Sequence, residues 1–374
     1  FSVAAPRAMA EGETFALSFQ YTATPLARKC WVHSRADGFV PELGDDETEL
    51  CYEGCWLPVF DNVFSTVTTD IRIGESLGQQ VIFNGRLVAT AQTADGLVHH
   101  FTSVMPGLPT VIVGEFATKA VTYGDARIAC YFQPGCERSV GIALALAQQI
   151  VQLYADWFGV NPVTDATLVQ LRRTGLGQYA PSPLVAFPRQ DLQPDSAYIS
   201  PHANLADQTR EQLVSMLSHE LGHFWFGGLV RYPPNQMWIS EGLATYLSQL
   251  VLEQLQGKSM IPHMAEAVAG IPRHEQAPLA DLPLGHPHGH LLVRAKAALV
   301  LHLLRQELGD EQFLLLLRTL VVRLQHTVAT TNHIAEVCGE LFPGRRCEEF
   351  FRRHFWGVQE YVFDPQRSVL SVGA

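Results

Sequence analysis

The sequence predicts an α+β protein, with an all-β, sandwich-like N-terminal part followed by a mainly helical part, and three observations carry that prediction. Apolar and polar residues alternate strictly in the early segments, as in half-buried strands. Beyond Pro134-Gly135 the apolar residues switch to helical spacing. Within the helical part, two histidines four positions apart lie beside an apolar stripe and are followed by an acidic residue on a second predicted helix.

Taken in order, residues 14–21 place Phe15, Leu17, Phe19 and Tyr21 on one face of a strand. Val67, Thr69, Ile71 and Ile73 repeat the alternation. Asn84-Gly85, between Val81-Ile82-Phe83 and Leu87-Val88, predicts a two-residue hairpin. Pro134-Gly135 breaks the pattern, and 139–158 turns helical, which divides the chain into an N-terminal β domain over 1–135 and a second domain over 136–374. Short strands are expected near 166–171 and 184–187. Leu213, Leu217, Leu221 and Phe224 give a helix with a buried stripe, and Gly227-Gly228 with Pro233-Pro234 turn the chain back into a helix over 241–255. Further helices are expected at about 293–308, 311–325, 332–340 and 346–354, separated by Leu-Gly and Pro-Gly stops.

The chemistry concentrates in His219-Glu220-Leu221-Gly222-His223 and Trp238-Ile239-Ser240-Glu241-Gly242. Imidazoles one helical turn apart meet a single ion, so His219 and His223 are expected metal ligands and Glu220 flanks the ion as a base. A catalytic zinc takes three protein ligands and keeps one open position, which assigns the third ligand to Glu241. Thr245, one turn after Glu241, is placed either to orient that helix or to bond a backbone carbonyl.

His219-Glu220-Leu221-Gly222-His223-Phe224-Trp225-Phe226-Gly227-Gly228 and Trp238-Ile239-Ser240-Glu241-Gly242-Leu243-Ala244 resemble the gluzincin metallopeptidases of the aminopeptidase N family. Arg294-Ala295-Lys296-Ala297-Ala298 looks like that family's Tyr-x-Lys-Gly-Ala helix, Leu308-Gly309-Asp310-Glu311 resembles the turn after it, and 177–187 stands in place of its Gly-x-Met-Glu-Asn segment and following strand. The resemblance implies a thermolysin-like catalytic domain, zinc metallopeptidase activity of aminopeptidase type, one zinc ion per chain, and a peptide or small-protein substrate. The departures are specific. The stretch between His223 and Glu241 is one residue shorter than usual, Ala180 falls where the amine-binding Glu is expected, and Arg294 replaces the oxyanion-stabilising Tyr. The family's large C-terminal helical domain is missing from the sequence, which predicts a cleft open on one side.

On this reading Glu220 takes a proton from water and passes it to the leaving amine, and Arg294 is the expected oxyanion donor, with His290 as the second choice on the same helix face. Arg294 has a plainer alternative, capping a helix or pairing with an acidic neighbour. The run His286-Pro287-His288-Gly289-His290 reads as solvated loop histidines or as an accessory metal site. The strand near Leu184 offers an edge to an extended substrate backbone. The alternative to an active peptidase is a catalytically impaired, zinc-containing binding or scaffold domain.

The 374 residues are 47% hydrophobic and 17% charged, enough for a substantial core, and the net charge of -11 with no large basic cluster argues against a nucleic-acid partner. The most apolar long run, 140–154, carries three glutamines at amphipathic spacing, so no transmembrane segment is expected. The chain starts at Phe1, consistent with a leader or tether preceding it. Among seven cysteines, Cys51 with Cys55, Cys130 with Cys136, and Cys338 with Cys347 are close enough in sequence for bridges, leaving Cys30 over and leaning toward an extracytoplasmic location.

Overall fold

The computed structural model describes residues 42–43, 47–50, 69–75, 79–94, 96–105, 107, 109–174, 177–192, 203–364 and 369–372. The strand expected over 14–21, and Cys30, Cys51 and Cys55, lie outside them. Among the described residues seven strands come first: β1 (Glu42–Leu43), β2 (Glu47–Leu50), β3 (Asp70–Glu75), β4 (Gln80–Phe83), β5 (Arg86–Thr93), β6 (Gly96–Thr102) and β7 (Val111–Gly114). They form two antiparallel sheets in the orders β1-β2-β7-β4 and β3-β6-β5.

Alternation along β4 and β7 explains how these sheets stack. Phe83 and Val111 bury against Phe101, with Ile71 and Ile73 packed beside them, so one face of the first sheet meets the second sheet. Ile82 and Ile112 point the other way and join Val169, Leu171, Leu184 and Ala186 in a separate core. The first sheet is thus the middle layer, which matches the sandwich-like expectation and ties it to the sheet behind the helices.

The hairpin expected at Asn84-Gly85 does not form. β4 pairs with β7 while β5 pairs with β6, so the two residues turn the chain from one sheet into the other. The Asn84 side chain accepts from the Thr110 backbone N–H at 2.8 Å, clamping the corner onto β7, and Gly85 does not take the positive φ that a primed turn requires.

A second sheet system follows: β8 (Ala117–Tyr123), β9 (Ala126–Phe132), β10 (Asp165–Gln170) and β11 (Leu184–Phe187), in the order β11-β10-β9-β8. β8 and β9 are antiparallel, whereas β9, β10 and β11 run parallel. The crossover from β9 to β10 is α1 (Glu137–Phe158), which starts just after Gly135 and buries Val140, Ala143, Leu144, Ala147, Ile150, Val151 and Tyr154 at helical spacing. Pro134-Gly135 is therefore the turn from strand to helix within one sheet-and-helix layer, with paired strands on both sides of residue 135.

The remainder is mainly helical: α2 (Ala203–Gly222), α3 (Glu241–Gln256), α4 (Ile261–Ala269), α5 (Gly289–Leu291), a π-turn (Leu292–Lys296) leading into α6 (Ala297–Leu308), α7 (Asp310–Leu324), α8 (Thr331–Leu341) and α9 (Cys347–His354). A hairpin of β12 (Tyr361–Asp364) and β13 (Val369–Val372) ends the described chain. The helices expected from apolar spacing are present with ends shifted by a few residues; α4, with Ile261, Met264, Ala265 and Val268 buried at helical spacing, and the β12–β13 hairpin go beyond that expectation. Cys130, Cys136, Cys338 and Cys347 are buried free thiols, so neither of the two described cysteine pairs is bridged. No helix among the described residues is long and apolar enough to cross a membrane.

Candidate metal centre

α2 and α3 pack side by side, and their facing ends hold the site. The C-terminal end of α2 is anchored from behind: the Tyr154 hydroxyl donates to the Ser218 carbonyl at 2.7 Å, and the Trp225 indole donates to the Val160 carbonyl at 2.7 Å. Beyond Gly222 the chain leaves the helix through tightened turns, and Gly227 sits at φ 128, a left-handed conformation that a side chain resists. That exit lets 228–240 double back so that α3 begins beside His223.

Glu241 occupies the first turn of α3. Gly242 lets this helix end approach the next layer closely, because a Cβ there would lie 2.5 Å from the Ala297 Cβ and 2.9 Å from the Val293 carbonyl oxygen. The close approach brings the π-turn, and Arg294 on it, against Glu241.

Three acceptor atoms converge. His219 Nε2 and His223 Nε2 are 3.2 Å apart, and the Glu241 carboxylate lies 3.4 Å from the first and 3.7 Å from the second. His219, His223 and Glu241 are the one group of three or more potential ligands that meets within 4.8 Å among the described residues. The opposite ring nitrogens are held by hydroxyls. Ser240 Oγ donates to the Phe226 carbonyl at 3.0 Å, so its contact of 2.9 Å with His223 Nδ1 requires the imidazole to donate. Thr245 Oγ1 donates to the Glu241 carbonyl at 2.7 Å and receives His219 Nδ1 at 3.4 Å in the same way. The backbone-carbonyl bond expected of Thr245 is present, and the same hydroxyl faces His219. Each arrangement puts the ring proton on Nδ1 and turns the Nε2 lone pair toward the other ligands.

Electrostatics point the same way. Burial, reinforced by the Arg294 charge, depresses the His219 imidazole to about 3, and burial also lowers His223, so both rings are neutral. Burial opposes ionisation of Glu241, but the Arg294 guanidinium outweighs it and holds the carboxyl well below its ordinary range. Two neutral imidazoles with inward lone pairs and one carboxylate are the donor set a zinc ion takes. Glu220, buried beside them, is pushed up to about 8 chiefly by burial, against the pull of Arg294 and with Glu241 and Asp191 adding repulsion. A nearby dication is the charge that would ionise it at neutral pH.

The other expected site residues fall into place unequally. Arg294 Nε donates to Glu241 Oε2 at 2.8 Å, Nη2 donates to His219 Nε2, and Nη1 meets His290 Nε2 at 3.0 Å. The pairing with an acidic neighbour is therefore realised, and that neighbour is Glu241, the expected third ligand. The contact of His290 with the cluster runs through Arg294. His288 pairs with Glu275 at 2.5 Å, and the 286–290 histidines make no three-ligand group, which leaves the accessory metal site without support.

The β11 edge also differs from expectation. The Ala186 N–H and carbonyl both bond Tyr179, and the Leu184 N–H bonds the Pro181 carbonyl, so these outward groups of the strand are already used within the chain. Tyr179 adds an outer, antiparallel bridge there. Two contributors had no spacing signal. Ser240 is visible only as the residue before a ligand, and Asp191, bonded by Gln178 at 2.5 Å and felt electrostatically by Glu220, follows β11 on an irregular turn.

Residues 192–277, which include His219, His223 and Glu241, match the family model described as the Peptidase family M1 domain. Over this stretch the chain is similar to the M1 peptidases. Aminopeptidase N of Lactococcus lactis subsp. lactis is 25% identical over 191 residues, covering 47% of this chain and 22% of that protein. The puromycin-sensitive aminopeptidase of Caenorhabditis elegans is 23% identical over 216 residues, 56% of this chain and 22% of that protein. The chain spans about a fifth of the length of these curated relatives. Among solved structures, the M1 zinc metallopeptidase from Deinococcus radiodurans superposes with a TM-score of 0.65 at 20% identity, over 80% of this chain and 66% of that one. A β-sheet region followed by a mainly helical part is the arrangement that structure shares.

Proposed function

We propose that this chain is a zinc-dependent peptidase of aminopeptidase-like type, binding one zinc ion through His219, His223 and Glu241 and using Glu220 as general base. The observation that carries the reading is the hydrogen-bond polarity at Ser240 and Thr245, which directs both Nε2 lone pairs at the Glu241 carboxylate. The chemistry a zinc supplies in such a site is acidification of a water from 15.7 toward about 7 and polarisation of a carbonyl.

Glu220, in a dry pocket beside the ligands, accepts the proton of the attacking water and returns it to the departing amine; this requires no covalent intermediate. The Glu241 carboxylate balances positive charge at the site. Arg294 is the donor nearest the ligands for a developing oxyanion, provided its guanidinium leaves His219, and His290 steadies it from outside. An extended substrate backbone meets the outermost segment at Gly177 to Ala180 rather than β11: Tyr179 turns its own amide inward, which directs those of Gln178 and Ala180 outward. With the methyl of Ala180 in place of a carboxylate, anchoring of a free N-terminus there is weak, so blocked and free peptides are expected to be cut at comparable rates.

The functional unit starts before residue 135, near 115, because β8 and β9 belong to the sheet that backs α1. The second reading, a catalytically impaired zinc-binding domain, is favoured by one observation: Arg294 engages two ligands directly. Metal analysis and peptide cleavage separate the two. A zinc content near one per chain, with hydrolysis that Glu220→Gln abolishes while keeping the metal, supports the peptidase. Equal cleavage by wild type and Glu220→Gln refutes the mechanism, and bound zinc with no cleavage of any mixed peptide pool leaves the impaired domain.

A further inference from the structure

Resting on the zinc-site reading, we infer that Arg294 is an internal competitor of the metal: docking of its guanidinium on His219 Nε2 and Glu241 Oε2 and loading of zinc on the same atoms exclude one another. His219 Nε2 has one lone pair, and its Nδ1 proton is committed to Thr245, so Arg294 Nη2 and a metal need the same electrons. Glu241 Oε2 takes Arg294 Nε at 2.8 Å, which places a fixed positive charge on the carboxylate that a dication must share.

The geometry also supplies the other position of the arm. Arg294 is 29% exposed on its side chain, and Nη1 already reaches His290 Nε2 at 3.0 Å on the solvent side. A rotation toward His290 would free His219 without removing Arg294 from the cleft. The backbone that carries it is the π-turn Leu292–Lys296, where an extra residue in the turn offsets Arg294 from the regular helical face and aims it at α3. Because the guanidinium does not deprotonate in proteins, this competition persists across the working pH range, unlike one made by a histidine or lysine.

The sign of the effect distinguishes this role from ordinary support of a ligand. Removing a residue that merely orients a metal ligand weakens binding by about 10–100-fold. Removing a competing cation strengthens it. The experiment is a zinc competition titration against a chromophoric chelator with the purified 374-residue chain, comparing wild type, Arg294→Ala, Arg294→Lys and His219→Ala. Arg294→Ala is expected to bind zinc about tenfold more tightly than wild type, with a correspondingly larger zinc-induced rise in Tm. Arg294→Lys, which keeps the charge but loses the two-point fork, is expected to lie between them, and it preserves the test if the alanine variant does not fold. Unchanged or weaker affinity in both Arg294 variants overturns the inference while leaving the metal site standing. Wild type that binds zinc no better than His219→Ala overturns the zinc-site reading and the inference together.

Discussion

The ligand ends of α2 and α3 and the segment carrying Arg294 face each other across one site, yet they are built by different rules. His219 and His223 owe their meeting to helical periodicity, and Glu241 to its place at the start of a helix that a positive-φ glycine and two prolines turn back. Arg294 sits on a π-turn, and its direction is fixed by a tertiary contact at Gly242 that no periodicity encodes. One half of the site is therefore local geometry and the other half is packing, and substitutions should divide along that line.

The largest effect is expected at Glu241. Glu241→Ala removes a ligand and leaves the Arg294 charge without its carboxylate, so zinc affinity should fall by more than the 10–100-fold typical of a supporting residue, read by chelator competition. Retained stoichiometric zinc in that variant would break the comparison at its root. Ser240→Ala tests the hydroxyl that sets the His223 tautomer and should weaken zinc by about 10–100-fold, with Thr245→Ala weaker in effect because its contact is 3.4 Å against 2.9 Å. The reverse order would assign the dominant support to His219.

Gly242→Ala tests packing alone. Its new methyl meets Ala297 and the Val293 carbonyl, which should cost about 1–3 kcal/mol in urea unfolding and displace Arg294 from Glu241. A neutral result would show that the α3 end is free to shift. Lys296, buried two residues after Arg294 with its amine on Gln276 Oε1 at 2.8 Å, lies outside the metal cluster and its effect is read as a pH dependence of stability. Burial lowers it to about 8, below its unfolded value, so the unfolded chain binds more protons between those values. Stability is then expected to rise from pH 8 toward the unfolded lysine pKa by up to about 1.4 kcal/mol per pH unit. Lys296→Met should flatten that slope and be most stabilising at or below pH 8; a parallel pH dependence in the two proteins contradicts it.

The same line separates what the sequence discloses from what it hides. The meeting of His219 with His223 and most helices are legible because spacings of three and four residues specify a face before any tertiary contact exists, and Glu241 is legible as the start of the next helix. The Asn84-Gly85 turn misleads because a corner between two sheets uses the same residues as a hairpin, and only the clamp on Thr110 decides between them. Pro134-Gly135 reads as a domain break for a similar reason: a strand-to-helix turn inside a layer and a linker share their composition. Arg294 is visible as a substitution in a recognisable helix, but its grip on His219 depends on the π-turn. The Tyr179 bridge that covers β11 joins residues on either side of a turn, and edge pairing leaves no trace in composition.

The central claim is that two imidazoles and one carboxylate hold a single zinc ion beside Glu220. Diffraction from zinc-soaked crystals, collected on both sides of the zinc absorption edge, tests it most directly. The expected result is one anomalous peak per chain within bonding distance of His219 Nε2, His223 Nε2 and the Glu241 carboxylate, with Arg294 withdrawn toward His290. A peak elsewhere, or none at these three side chains while Arg294 keeps its place on His219, would contradict the account.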